Sequence, residues 1–173
     1  MEFDRRKAAT VVPVGVIAVL VAVVDIGAPT RSKQAPGTPV PAAQRQVIRP
    51  ARFPSTGLPY SPGILVGDTL YLSGQLGRDP DTAKLVPGGI EAETRQALKN
   101  LGEVLTTAGM TYGDVVSVTA FIADFADFPR FNAVYREVFA SEPPARATVQ
   151  VAGLNLGARV EIQMIAVRSG RQP

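Results

Sequence analysis

Residues 90–108 read IEAETRQALKNLGEVLTTA, and this stretch decides the fold of the chain around it. Its apolar and small residues recur every three or four positions, the spacing that places side chains on one face of a helix. They are Thr94, Ala97, Leu98, Leu101, Val104, Leu105 and Ala108. Gly109 follows directly and supplies a stop signal. The sequence therefore predicts an amphipathic helix that ends near Ala108.

Short apolar runs lie on both sides of this helix. The predicted strands are 64–66, 69–75, 115–122, 147–151 and 159–168. A second helix is expected to begin at Pro129, because proline suits the first helical turn. Its apolar stripe is Phe131, Val134, Tyr135, Val138 and Phe139. The order ββαβαββ predicts an α+β domain with a mixed sheet and both helices on one face.

The first 25 residues resemble a targeting segment. Arg5, Arg6 and Lys7 precede residues 8–24, which carry no charge and would form a helix of about 26 Å. We predict a signal peptide or membrane anchor over 1–25, with a membrane tether through 8–24, and a flexible Pro/Ala-rich linker over 26–50. The protein would then be exported or membrane-anchored, on the periplasmic or extracellular side. A misassigned start codon would instead leave it cytoplasmic.

The charge of the chain is unevenly distributed. The 173 residues carry 18 Lys and Arg against 15 Asp and Glu, a net charge of +3. Residues 1–55 hold 8 basic and 3 acidic side chains, whereas residues 56–173 hold 10 and 12. The folded part is thus slightly acidic, which argues against nucleic acid as a partner because phosphate contacts need a basic surface.

Composition also limits the available chemistry. The chain has no His and no Cys. A Ser-His-Asp triad, a thiol nucleophile, a disulfide and a Cys/His zinc site are therefore excluded. We predict no metal and no cofactor, and any catalysis falls to Asp, Glu, Ser, Thr, Tyr, Lys, Arg or the backbone.

Three short segments place polar groups within apolar strands. Ser73-Gly74 ends a strand, where it is either a β-bulge or a point of close ligand approach. Arg146 follows Pro143-Pro144 at the start of a strand, and it is either an anion ligand or an ordinary surface arginine. Glu161 shares one face of its strand with Gln163 and could act as an acid or base. The alternation of apolar and polar residues by itself indicates only that this face is exposed to solvent.

Together with Leu58-Pro59-Tyr60-Ser61, these segments resemble the RidA/YjgF family of reactive-intermediate (enamine/imine) deaminases. The matching stretches are LPYSPGILVGDTLYLSGQLGRDP (58–80), GGIEAETRQALKNLGEVLTTAGMTYGDVVSVTAFIADFADF (88–128), FNAVYREVF (131–139), PPARATVQV (143–151) and RVEIQMIAV (159–167). The resemblance assigns a RidA-like domain to 51–170. It implies a chorismate-mutase-like α+β subunit, assembled as a homotrimer with ligand sites between subunits.

The resemblance also implies an activity and a site. The activity is hydrolytic deamination of 2-imino and 2-enamino acids to 2-oxo acids and ammonia, as in 2-iminobutanoate/2-iminopropanoate deaminases. Arg146 corresponds to the ligand of the substrate carboxylate and Glu161 to the acid that positions water. The remaining substrate-binding positions that the resemblance implies are Tyr60, Ser73, Gly74 and Thr148.

Three positions depart from the family pattern. Leu58 and Pro62 replace a Gly and a Gln beside the cleft, and Gln163 replaces a second acid on the last strand. These changes leave the specificity for the substrate side chain open. Two other functions remain as alternatives: a trimeric module that binds small carboxylates without turnover, and an endoribonuclease, against which the acidic balance argues.

Overall fold

The structure is a computed structural model that describes residues 44–53 and 57–168. The predicted leader 1–25, with the proposed tether 8–24, and most of the predicted linker 26–50 lie outside these ranges. Within the part of the chain that is described, no helix is both long enough and apolar enough to cross a bilayer.

The described residues form six strands and two α-helices. In chain order these are β1 (Arg45–Ile48), β2 (Gly63–Val66), β3 (Thr69–Leu76), α1 (Gly89–Thr107), β4 (Val115–Ile122), α2 (Phe128–Val138), β5 (Ala145–Gln150) and β6 (Val160–Val167). Every strand and helix predicted from the sequence is present. Strand β1 was not predicted, and it lies within residues 26–50, whose composition indicates a linker.

All six strands belong to one sheet with the order β1-β2-β3-β6-β4-β5. Strands β4 and β5 are parallel, and the other neighbouring pairs are antiparallel. The last strand in sequence, β6, therefore lies between β3 and β4. The predicted α+β class with a mixed sheet is confirmed.

The hydrophobic core lies between this sheet and the two helices. The seven residues of the predicted α1 stripe are all buried, and so are Phe131, Val134 and Tyr135 of α2 and Phe139 directly after it. Strand β6 alternates strictly, with Val160, Ile162, Met164 and Ala166 buried in this core. Glu161 and Gln163 consequently point to the opposite, helix-free face of the sheet, as the alternation predicts.

A charged network holds the start of β6 against both helices. The backbone N–H of Arg159 donates to Glu93 of α1 at 2.8 Å, and its guanidinium donates to Asp127 at 2.7 Å. Arg130 joins α2 to Glu91 of α1 at 2.5 Å. Glu93 and Asp127 are buried, and burial raises the pKa of Glu93. This network fixes the backbone only two residues before Glu161.

Candidate active site

Ser73 and Gly74 lie in an irregularity of β3. The register of β3 against β6 shifts between Leu72 and Gln75, so the two residues form a bulge. The Ser73 hydroxyl donates to the carbonyl of Ser61 at 2.7 Å, and the Ser73 amide donates to the carbonyl of Pro62 at 2.9 Å. The bulge thereby fixes the segment that carries Tyr60.

Gly74 lets the carboxylate of Glu161 lie directly against the backbone of β3. A Cβ added at Gly74 would be 2.0 Å from Oε1 of Glu161, far closer than van der Waals contact allows. Glu161 is half-buried, and this burial raises the pKa of its carboxyl. The result is a carboxyl that binds a proton more readily than an exposed glutamate does.

These residues line one cleft of about 340 Å³, which we call the β3–β6 cleft. It contains four of the predicted site residues, namely Tyr60, Ser73, Gly74 and Glu161. Leu58, the residue that departs from the family's glycine, lines it too. Of the other two departures, Pro62 is buried and supplies the carbonyl bonded to Ser73, and Gln163 is exposed on the helix-free face.

The other two predicted residues, Arg146 and Thr148, lie on β5 at the far edge of the sheet. Arg146 aligns with Val118 and Thr148 with Ala120 across the β4–β5 pair, and both β4 residues are buried in the core. Arg146 and Thr148 therefore face the helices. The Thr148 hydroxyl is buried and has no hydrogen-bond partner among the described residues.

The guanidinium of Arg146 is held by α2. One of its nitrogens donates to Oδ1 of Asn132 at 2.7 Å, and its central carbon lies 4.4 Å from the ring centroid of Tyr135. It also lies 5.3 Å from the ring centroid of Phe131. Burial raises the pKa of Tyr135 to about 12, although the Arg146 charge opposes that rise. Arg146 is half-buried and pre-oriented, and no carboxylate pairs with it among the described residues.

Arg146 and Glu161 do not meet within one chain. Strand β4 lies between the strands that carry them, and the two side chains leave the sheet on opposite faces. Strand spacing alone separates β5 from β6 by about 10 Å. Arg146 lies in a second cleft with Asn132 and Tyr135, which we call the α2 cleft. The predicted site residues thus lie in two separate clefts of one chain.

Several residues of the two clefts were not predicted. Tyr135 was predicted only as part of the apolar stripe of the second helix, and Asn132 was not singled out, because helical periodicity does not reveal which side chain meets a residue on a distant strand. Arg78 lines the β3–β6 cleft and lies two residues beyond the strand that carries Ser73, where it pairs with Leu85 in an isolated β-bridge. Within the described residues, no three acidic side chains lie close enough to hold a metal ion.

The fold and the clefts define a class of small α+β proteins whose polar site lies beside a bulged strand. Residues 51–168 match the model of the family described as endoribonuclease L-PSP, and the chain belongs to this family. It is the family that the sequence motifs indicate under the name RidA/YjgF. The prediction made from those motifs is confirmed.

Proteins similar to this chain come from mammals and bacteria. The 2-iminobutanoate/2-iminopropanoate deaminase of Bos taurus is 49% identical over 124 residues, which are 72% of this chain and 90% of the bovine protein. The human protein of the same name is 46% identical with the same coverage. The crystal structure of YyfA from Yersinia pestis, a protein of the Rid family, is 41% identical, covers 72% of this chain and 100% of its own, and has a TM-score of 0.69.

The location predicted from residues 1–25, exported or membrane-anchored, is wrong, because it disagrees with the relatives that share the domain. The bovine and human relatives match 72% of this chain, and their names carry no mark of export or membrane anchoring. An apolar run with a basic flank is a weak predictor of location, because the same pattern can come from a signal peptide, a membrane anchor or a misassigned start codon.

Proposed function

We propose that this protein hydrolyses 2-imino acids, and the 2-enamino acids in equilibrium with them, to 2-oxo acids and ammonia. The observation that carries the proposal is the 49% identity to a 2-iminobutanoate/2-iminopropanoate deaminase over nine-tenths of that protein's length. The two clefts support it, because they supply a guanidinium that no carboxylate pairs with among the described residues and a half-buried carboxyl. Both are groups that imine hydrolysis requires.

The reaction needs a catalyst only to orient the substrate and a water molecule and to move protons between them. Water adds to the electrophilic C2, the imine nitrogen gains a proton, and the C2–N bond then breaks to release ammonia and leave the 2-oxo acid. In our proposal Arg146 binds the substrate carboxylate with two charge-assisted hydrogen bonds. Glu161 holds the water, takes a proton as it attacks, and returns a proton to the leaving nitrogen, a role worth roughly 10²–10⁴-fold in rate.

The remaining predicted residues would complete the site. Tyr60 forms an aromatic wall beside the carboxyl of Glu161, and Ser73 keeps the Tyr60 segment in place. The backbone amides of Gly74 and Thr148 would donate to the substrate. Leu58 would contact the side chain of the imino acid, which makes it a determinant of substrate size.

We further propose that the active unit is a homotrimer. Arg146 and Glu161 lie on opposite faces of the sheet, so one small substrate reaches both only if they come from different copies. The helix-free face also exposes apolar side chains, including Tyr71 at 51% and Val149 at 41%. A face of this kind is expected to be covered in an assembly. A ring of three copies would create three equivalent sites.

The deaminase proposal is tested by removing the guanidinium. In the full chain, Arg146→Ala should abolish hydrolysis of 2-iminopropanoate and 2-iminobutanoate, generated in the assay by an amino-acid oxidase or a dehydratase. Two charge-assisted hydrogen bonds would be lost, each contributing about 1.5–3 kcal/mol. The matched control is Arg95→Ala, which removes an exposed arginine that pairs with Glu137. Undiminished activity of Arg146→Ala would contradict the mechanism.

The same assay tests the binding-module alternative. Under that reading the wild-type protein would bind 2-oxobutanoate but would not raise the rate of imine hydrolysis above the rate in buffer. The relatives named as deaminases favour turnover.

A further inference from the structure

Most arginines in the described part of the chain are paired or exposed. Five of them contact a carboxylate: Arg52, Arg95, Arg130, Arg159 and Arg168. Arg45, Arg49 and Arg136 are exposed. The two that are half-buried and have no carboxylate partner among the described residues are Arg146 and Arg78. Arg78 thus shares the two properties that mark Arg146 as an anion ligand.

The guanidinium of Arg78 is oriented by its own loop. Its Nε donates to the carbonyl of Ala83 at 2.9 Å, and its backbone carbonyl accepts from Asn100 at 2.9 Å. Arg78 also pairs with Leu85 in an isolated β-bridge. With Nε engaged, the two terminal nitrogens have no hydrogen-bond partner among the described residues. A planar pair of donors held in this way matches the geometry of a carboxylate.

Arg78 lines the same cleft as the proposed water-binding acid. Among the residues lining the β3–β6 cleft, Arg78 is the one with a positive charge and Glu161 the one with a negative charge. A substrate with two carboxylates would meet repulsion from Glu161 in a half-buried site. Arg78 would offset that repulsion and pair with the second carboxylate at the side-chain end of the substrate.

We propose that Arg78 binds a carboxylate on the substrate side chain, so that the favoured substrates are 2-imino acids derived from acidic amino acids. This inference rests on the proposed deaminase function and names the substrate class of its site. The products are a dicarboxylic 2-oxo acid and ammonia, and the bonds made and broken are those of the general reaction. Arg146 binds the carboxylate next to the reacting carbon, and Arg78 the distant one.

The kinetic test compares two imines of equal length. An amino-acid oxidase generates 2-iminoglutarate from glutamate and 2-iminopentanoate from 2-aminopentanoate, which differ by one terminal carboxylate. The measured quantity is the ratio of kcat/KM for the first to that for the second. We expect Arg78→Gln to lower this ratio about 10-fold or more, since one charge-assisted pair is lost. Arg78→Lys keeps the charge but not the planar pair of donors, so it should lower the ratio less than Arg78→Gln does. Arg95→Gln, the exposed control, should keep the ratio within about 3-fold. An unchanged ratio in Arg78→Gln overturns the inference.

A binding test separates this inference from the deaminase proposal. Calorimetry measures the affinity of the full chain for 2-oxoglutarate and for 2-oxopentanoate. We expect wild type to prefer 2-oxoglutarate, and Arg78→Gln to lose that preference. If wild type hydrolyses neither imine but shows this Arg78-dependent preference, the deaminase proposal fails, and with it the assignment of a substrate class, while the binding of a second carboxylate by Arg78 stands. If it hydrolyses 2-iminopentanoate and shows no preference for the second carboxylate, the inference fails and the deaminase proposal stands.

Discussion

Gly74 leaves room for the carboxylate of Glu161 beside the backbone of β3. The side chain of any other residue at position 74 would collide with the carboxylate of Glu161, whose Oε1 lies 2.0 Å from the position of the added Cβ. The far end of a glutamate moves easily, so the collision would displace the carboxylate rather than the strand. The glycine therefore matters for catalysis more than for folding.

Gly74→Ala should consequently lower kcat for 2-iminobutanoate by about 10²-fold, because a displacement of about 1 Å in a catalytic group has effects of this size. The stability of the fold should change little. Gly153→Ala is the matched control, since nothing lies within 4 Å of a Cβ added there. Equal activity of the two variants would show that the carboxylate of Glu161 need not lie against β3.

Glu161→Gln should lower kcat by roughly 10²–10⁴-fold, because the group that moves protons is lost. The substitution should also remove the free-energy cost of burying a charged carboxylate. Burial raises the pKa of Glu161, so the folded chain binds this proton more tightly than the unfolded chain does. The stability from this group is therefore fully present below its unfolded pKa and is lost as pH rises through the raised pKa. The free energy of unfolding of Glu161→Gln, relative to that of wild type, should therefore increase as the pH is raised from 4 to 7.

Glu137→Gln is a control for which the change of relative stability with pH should have the opposite sign. The hydrogen bond from Arg95 lowers the pKa of Glu137, so its stability is present above the unfolded pKa and is lost as pH falls. The free energy of unfolding of Glu137→Gln, relative to that of wild type, should therefore decrease as the pH is raised from 4 to 7. Urea denaturation at the two pH values measures both differences. A change of the same sign in both variants would refute the assignment for Glu161.

Sequence reasoning at the residue scale singled out four residues that share one cleft, and it overlooked a residue in each of the two clefts. Tyr60, Ser73, Gly74 and Glu161 do share a cleft. Neither Arg78 nor Asn132 was singled out. Arg78 lies two residues beyond the end of β3, where no periodic pattern assigns its side chain to a site, and only the three-dimensional structure shows that it lines the β3–β6 cleft with Glu161.

At the scale of elements, the close packing of α1 on β3 depends on Gly77, which follows the end of β3. A Cβ added there would lie 2.4 Å from Cα of Glu93 and 2.7 Å from its carbonyl oxygen. Both are backbone atoms of α1, so a larger residue must move the helix. The same helix carries Glu93, which holds the start of β6.

Gly77→Ala should therefore destabilise the protein by about 1–3 kcal/mol, the usual cost of overpacking a close contact. Gly153→Ala should stay within about 0.5 kcal/mol of wild type. Urea denaturation of the two variants measures the difference. A Gly77→Ala variant as stable as Gly153→Ala would mean that α1 does not pack as closely on this segment as the structure indicates.

The predicted elements all carry a run or a repeat of apolar residues, and the one element that was missed, β1, does not. Helix α1 repeats its apolar spacing over five turns, and β6 alternates over eight residues. Strand β1 has four residues, of which three are exposed, so RQVI carries no pattern that a strand alone would produce. Its place in the sheet comes from pairing with β2, which is a tertiary interaction.

At the scale of the whole molecule, the sheet keeps one face for the core and leaves the other open. The open face carries Glu161, and the core side of the far edge carries Arg146. Sequence periodicity cannot reveal this arrangement, because it assigns each residue to a face of its own strand but does not set the strand order. The order β3-β6-β4-β5 is what separates the two clefts.

Mixing two inactive variants tests the shared site most directly. Arg146→Ala and Glu161→Gln are unfolded together in equal amounts, refolded, and assayed with 2-iminobutanoate. In random trimers, about three-quarters contain both variants, and each of those has one intact site in three, so about a quarter of wild-type activity should return. If Arg146 and Glu161 instead act within one chain, the mixture will be as inactive as either variant alone.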